Sequence, residues 1–165
     1  RTAVPAERLD VNETIRLVLV LVGDEAKRTD VTIRTLLADR LSAVTGDRVQ
    51  FQQVVLNLVI NGIEAMTSVS DRARELVITT RNIDPDQVQV TVEDSGMGID
   101  PNAIEKIFEP FYTTKSTGMG MGLSITRSIL QRHGGRLWVT AQHGRGASLY
   151  FTVPKRDEQE ANAGV

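Results

Sequence analysis

The sequence predicts an α+β fold, a two-layer α/β sandwich in which a mixed sheet of about five strands carries helices on one face. Three observations lead to it. Two early segments repeat apolar residues at helical spacing, and each opens on an aspartate. Two pairs of later segments alternate apolar and polar residues as half-buried strands do. A long stretch rich in glycine and threonine then separates the first strand pair from a third helix.

The first helix is expected over residues 10–29, capped by Asp10, with Glu13 at the reciprocal capping position and Val11, Ile15, Val18, Leu19 and Val22 along one side. Residues 31–37 alternate as a strand, and a second short strand is expected at 41–44. Asp47 opens another helix, with Gln50 as its capping partner, running to residue 66. After a polar connection at 68–74, strands at 76–81 and 88–93 flank the turn-forming residues 83–86. Residues 96–122 hold only a short helical stretch near 102–107. A connection this long inside a compact domain is usually a lid or a binding loop. A helix follows over 121–133, ended by Gly134 and Gly135. Strands at 136–141 and 147–153 close the fold around the turn 143–146. Pro154 stops the last strand, which leaves one domain over 1–154 and a solvated tail over 155–165.

Composition narrows the function. With 165 residues, 41% hydrophobic and 24% charged, the chain is built like a soluble globular domain and not a disordered one. The absence of cysteine excludes disulfides, thiol chemistry and cysteine-based metal sites, and His133 and His143 alone leave little room for a histidine-built metal centre. A net charge of -2, from 19 basic and 21 acidic residues, supplies no electrostatic argument for nucleic-acid binding. The longest apolar run, residues 15–22, is interrupted by Arg16 and is far shorter than the ~20 residues of a membrane span. No signal-peptide pattern opens the sequence, so the cytoplasm is the expected compartment, whether a parent protein is anchored or soluble.

Three clusters carry chemistry. In the second helix Gln50, Gln53, Asn57, Asn61 and Glu64 form one stripe, opposite Phe51, Val54, Val55, Leu58 and Ala65. A solvated face is the plain reading. Yet asparagines one turn apart form poorer helix than lysine or glutamate would, and their amide oxygens suit a hydrated Mg²⁺ held against phosphate. Next, Glu93-Asp-Ser-Gly-Met-Gly-Ile99 follows a strand directly. Gly96 and Gly98 permit close approach of a ligand to the backbone, and the Asp94 carboxylate can accept from an exocyclic amine such as that of adenine; a capped tight turn is the alternative. Last, Thr117-Gly-Met-Gly-Met-Gly-Leu123 alternates three glycines before an apolar helix, which exposes backbone N–H groups to an anion. It is neither a Walker A loop nor a dinucleotide fingerprint, and a flexible hinge is its alternative.

Taken in order, residues 53–66, 94–98, 107–115, 118–123 and the final glycine turn resemble the N box, first glycine box, F box, second glycine box and terminal turn of the histidine-kinase branch of the GHKL ATP-binding superfamily. The resemblance covers about residues 8–154. It implies a Bergerat fold with ATP between the N-box helix and a mobile lid. By position, Asn61 resembles the Mg²⁺ ligand and Asn57 lies beside it near the phosphates. Asp94 resembles the adenine-reading carboxylate, with Gly96, Gly98 and Ile99 at the base. Gly118, Met119, Gly120, Met121 and Gly122 would cradle the phosphates, with Leu123 opening the next helix. Ser148 resembles the hydroxyl that helps hold adenine, and Lys115 a γ-phosphate contact, so Asn57 and Lys115 are the catalytic candidates. Phe108 and Phe111 fit lid packing.

There are departures. Many members carry a lysine after the N-box asparagine where this chain has Glu64-Ala65, which leaves Lys115 or an arginine to substitute. The Glu-Ala-Met ending, with Glu109-Pro-Phe-Tyr-Thr-Thr-Lys115 downstream, looks like the nitrogen-regulation and oxygen-sensing kinases. No phosphoacceptor motif occurs near the N-terminus; His133 is expected to be a structural residue whose positive charge suits a helix C-terminus, and His143 a solvated one. The resemblance therefore implies a catalytic domain that binds Mg-ATP and donates the γ-phosphoryl to a histidine on a separate dimerisation domain of the same parent. It further implies a response regulator as indirect partner, a monomeric isolated domain and a homodimeric parent. The alternatives are a self-sufficient GHKL ATPase and a degenerate nucleotide-binding interaction module. Clamp-type relatives usually place a glutamate base where this chain has Asn57, and its absence argues against efficient water activation.

Overall fold

A computed structural model describes residues 7–109, 122–141 and 145–157. Its elements are β1 (Glu7–Leu9), α1 (Val11–Leu21), α2 (Gly23–Arg28), β2 (Val31–Leu36), β3 (Val44–Gly46), α3 (Arg48–Ala65), β4 (Arg74–Ile83) and β5 (Gln87–Asp94). Two 3₁₀ turns (Pro101–Ala103 and Lys106–Phe108), α4 (Gly122–Arg132), β6 (Arg136–Ala141) and β7 (Ala147–Pro154) complete it. The main sheet has the order β2-β4-β5-β7-β6; β2 and β4 are parallel and the other neighbours antiparallel. A parallel neighbour needs a crossover, and the β3–α3 segment supplies it.

The predicted α+β class with five mixed strands and helices on one face is the observed one. Leu76 and Ile78 of β4, Val88, Val90 and Val92 of β5, and Leu149, Phe151 and Val153 of β7 share a face by register and are all buried. They pack on Ile15 and Val18 of α1 and on Phe51, Val54, Val55 and Leu58 of α3 in one core. The opposite face carries the Arg34–Glu75 ion pair and Trp138 stacked on Tyr150 with ring centroids 5.4 Å apart.

Local expectations moved in three places. The first helix is two: Val22, at φ -96° and ψ 1°, caps the end of α1 and the start of α2. Gly23 is a poor helix interior residue, and Asp24 and Glu25 suit a new first turn. The short strand lies at Val44–Gly46, not at 41–44, because its partner is β1, paired Glu7 to Gly46 and Leu9 to Val44. The chain also stays attached past the expected start of the tail. Lys155 N–H donates to Asp86 O and Arg156 N–H to Ala43 O, each at 2.7 Å. Of the two capping boxes, the aspartate halves form: Asp10 accepts from Glu13 N–H at 3.3 Å and Asp47 from Gln50 N–H at 3.1 Å. Glu13 turns to Arg16 instead of reaching back.

A polar knot braces α1 to the sheet. Asn12, only 6% exposed, donates to Ala38 O and accepts from the Thr80 hydroxyl, both at 2.8 Å, while Ala38 N–H donates to Thr80 Oγ1 at 2.9 Å. Asn12→Ala removes a partner from two groups, and a buried group left unsatisfied costs about 1–3 kcal/mol. Urea unfolding is expected to show a loss of roughly 2–4 kcal/mol, and a change under about 0.5 kcal/mol would mean water replaces the amide.

Candidate functional site

The site is built on α3. Phe51, Val54, Val55, Leu58, Val59 and Ile63 are buried against the sheet, which turns Gln53 and Glu64 to solvent and leaves Asn57 and Asn61 half-buried between. Gly62 sets how near the end of α3 comes to the strands. A Cβ there would stand 2.5 Å from Leu76 Cδ1 and 3.8 Å from Asp94 Cβ. The absence of a side chain at 62 thus brings the Asn61 turn alongside the end of β5.

Asp94 ends β5, where its Oδ1 accepts from Gly96 N–H at 2.8 Å and from Ala147 N–H at 3.3 Å. Two backbone donors on one oxygen fix the carboxylate in place. Both donors depend on glycines. Gly96 lies against the last turn of α3, where a Cβ would be 2.6 Å from Ala65 O, and Gly146 at φ +91° lies against the Asp94 backbone. Gly98, at φ +80°, continues the turn, and Ile99 is half-buried after it.

Of the two arginines in the polar connection, Arg72 holds this turn and Arg74 ties the connection to its neighbours. The Arg72 guanidinium donates to Ser95 O and Gly96 O, each at 3.0 Å, a geometry that suits its planar fork. Arg74 donates to Thr29 O at 2.7 Å and to Thr67 O and Val69 O, each at 3.0 Å. Nothing local to residues 68–74 signals the bonds to Thr29, Ser95 and Gly96, because those carbonyls lie on two other loops.

Ser148 faces the other side of the sheet from α3. It pairs with Glu93 across β7 and β5, and its hydroxyl is 3.3 Å from Glu93 Oε1. Successive strand residues face opposite sides, so Ser148 is on the side away from Asp94's helix-facing side. The link from the final glycine turn to Asp94 is the Ala147 backbone N–H, a contact that side-chain chemistry cannot signal.

Across from α3, α4 starts at Gly122, where a Cβ would meet nothing within 4 Å, and Leu123 is half-buried against the core. Asn57 Nδ2 donates to the hydroxyl of Thr126, a fully buried residue of α4, at 3.3 Å. Phe108 lies under the Arg127 guanidinium at 5.6 Å, beside buried Ile107, as lid-anchoring residues would. Lys115, Gly118, Met119, Gly120, Met121, Phe111 and His143 lie outside the described residues.

A cavity of about 530 Å³ opens at the ends of β5, β6 and β7, lined by Glu93, Asp94, Thr140, Arg145, Gly146 and Ser148 among others. It reaches Asp94 from the sheet side and has no lining residue on α3. Among the described residues no group of three or more His, Asp or Glu side chains is gathered as a metal cage. The oxygens available to a cation beside α3 are thus amide oxygens, a donor set that fits Mg²⁺ sharing phosphate oxygens and water.

A carboxylate fixed at a strand end, an asparagine-bearing helix beside it and a glycine-opened helix opposite define an ATP-binding domain. Residues 46–157 match the family described as Histidine kinase-, DNA gyrase B-, and HSP90-like ATPase, and the chain belongs to that family. Within it, the chain is a histidine-kinase catalytic domain. It is 44% identical over 133 residues to Sensor protein FixL of Bradyrhizobium diazoefficiens, covering 81% of this chain and 26% of that one. The nucleotide-free catalytic domain of histidine kinase ThkA superposes with a TM-score of 0.79 at 34% identity, covering 91% of this chain and 95% of that domain. ThkA in complex with response regulator protein TrrA superposes at 0.77 and 32% identity, covering 93% of this chain and 43% of that one. The chain thus spans about a quarter of the FixL length.

Proposed function

We propose that this domain binds Mg-ATP between α3 and α4 and donates the γ-phosphoryl to a histidine on a dimerisation domain of the same parent protein. ATP binding belongs to the family; Mg²⁺, the individual contacts and the acceptor belong to the proposal. The observation that carries it is the double-anchored Asp94 carboxylate beside the Asn57–Asn61 face, at 2.8 and 3.3 Å from its backbone donors. Asp94 is positioned to accept from the adenine amine, with Gly96, Gly98 and Ile99 at the base. Asn61 offers an amide oxygen to Mg²⁺ and Asn57, held by Thr126, lies next to the phosphates. Gly118, Met119, Gly120, Met121, Gly122 and Leu123 are assigned to the phosphates and Lys115 to the γ-phosphoryl. Mg²⁺ when bound neutralises phosphate charge; the protein's part is to hold donor and acceptor in line. Ser148, facing Glu93, has no place in this assignment.

The domain is taken as monomeric over 1–154 with a terminal tail, within a homodimeric parent that passes its phosphoryl to a response regulator, as the ThkA–TrrA complex makes reasonable. No described helix is long and apolar enough to cross a membrane. We assign the domain to the cytoplasm, where ATP is found.

Label transfer from γ-labelled ATP to an added histidine-bearing dimerisation fragment tests the reading. Transfer without appreciable steady-state hydrolysis is the expected outcome; rapid hydrolysis with no labelled histidine would favour a self-sufficient ATPase. Asn61→Ala should weaken binding of an ATP analogue about tenfold with Mg²⁺ and by less than about twofold without it. Equal losses in both conditions would remove Asn61 from the metal.

A further inference from the structure

The imidazole of His133 sits between the C-terminal end of α4 and the start of α3. Its Nδ1 is 2.8 Å from Ile129 O, and its Nε2 is 3.1 Å from the backbone N of Asp47. A carbonyl can only accept and a backbone N–H can only donate, so Nδ1 carries the hydrogen and Nε2 is bare. The two contacts fix the ring's orientation and make Nε2 the acceptor for Asp47.

The surroundings are shaped to this ring. Phe51 meets it edge-on, with centroids 4.8 Å apart and planes at 85°. Gly46 clears the space: a Cβ there would stand 2.6 Å from His133 Nε2 and 2.7 Å from Phe51 Cε2. On the α4 side the backbone is locked by a paired helix stop, with Gly135 N–H donating to Leu130 O at 2.7 Å and Gly134 N–H to Gln131 O at 3.1 Å, Gly134 being at φ +74°. On the α3 side Asp47 is the N-cap. Its carboxylate is occupied by Gln50 N–H, while its own N–H, lying outside the helix, finds its acceptor in His133.

Polar ties join the antiparallel pair α3 and α4 at two levels among the described residues: His133 to Asp47 at one end, Thr126 to Asn57 further along. Apolar contact is non-directional and resists sliding weakly, whereas hydrogen bonds hold direction and distance. We propose that His133 is a positioning residue for nucleotide binding. Its bare Nε2 sets the sliding register of α3 on α4, and with it the placement of Asn57 and Asn61 opposite Gly122. The proposal rests on the ATP site assigned above. His133 itself touches no nucleotide; it acts through α3, a single uninterrupted helix that carries a shift at Asp47 along its axis.

The test uses the whole chain and compares two variants of similar polarity. His133→Gln places an amide oxygen where Nε2 lay and keeps an acceptor for Asp47. His133→Asn is too short to reach it, although it can still donate to Ile129 O. Calorimetry with a non-hydrolysable ATP analogue and Mg²⁺ should give His133→Gln within about twofold of wild type and His133→Asn about tenfold weaker. Faster hydrogen exchange at the Asp47 amide should appear in the Asn variant only. Long-range nitrogen–proton spectra of the wild-type chain should show Nε2 unprotonated. Equal affinities for the two variants, or a hydrogen on Nε2, would overturn the proposal. A wild-type chain that binds no analogue would instead remove the ATP-site reading itself, and the positioning role with it.

Discussion

Asp94→Asn is expected to weaken Mg-dependent binding of an ATP analogue about 100-fold while leaving the fold intact. The substitution keeps the shape of the side chain and replaces one acceptor oxygen by an NH₂ donor. In the native arrangement Oδ1 takes hydrogens from Gly96 and Ala147. If the asparagine keeps its oxygen there, its NH₂ points at the base, donor against donor. If it flips, the NH₂ opposes two backbone N–H groups. Each arrangement forfeits a charge-assisted bond, worth about 1.5–3 kcal/mol, and sets like dipoles together, which is how roughly two decades of affinity are lost. Calorimetry reads the effect. A loss of less than about threefold would take Asp94 out of base recognition.

Gly146→Ala should have the largest effect on stability. Gly146 sits at φ +91°, a region that costs an L-residue about 1–2 kcal/mol. Its Cβ would also overlap the Asp94 carbonyl oxygen and stand 3.1 Å from the carbonyl carbon and 3.2 Å from Ser95 Cα. These neighbours are backbone, so no rotamer change relieves the overlap, and overpacking of this kind adds about 1–3 kcal/mol. A total of roughly 2–5 kcal/mol is a large part of the 5–15 kcal/mol that holds a typical domain together. Urea denaturation should show it, and the fraction that remains folded should bind the analogue weakly, because the strand carrying the Ala147 N–H is pushed from Asp94. A midpoint shift equivalent to less than about 1 kcal/mol would mean that β7 yields at little cost.

The legible parts of the site are those whose signal is local. Asn57 and Asn61 are recognisable because one helical turn separates them, and Asp94 because it ends an alternating run just before a glycine pair. The caps at Asp10 and Asp47 form as their spacing demands. The orientation of Ser148 is not local in this sense. Which face it takes depends on β7 pairing Ser148 with Glu93, and a register one residue away would have turned the hydroxyl over. The short strand at Val44–Gly46 depends likewise on β1, more than thirty residues earlier.

By itself the sequence determined the α+β class, the chain order of the five main-sheet strands and the family to which the chain belongs, because periodicity, caps and glycine spacing act within a few residues along the chain. Only the tertiary structure decided that Arg72 clamps the Gly96 turn, that the Ala147 backbone holds Asp94, and that His133 is an acceptor for Asp47. The physical reason is common to all three. A hydrogen bond is set by direction and distance between groups that the fold brings together from 24, 53 and 86 residues apart, and no local pattern in the chain encodes which donor will face which acceptor.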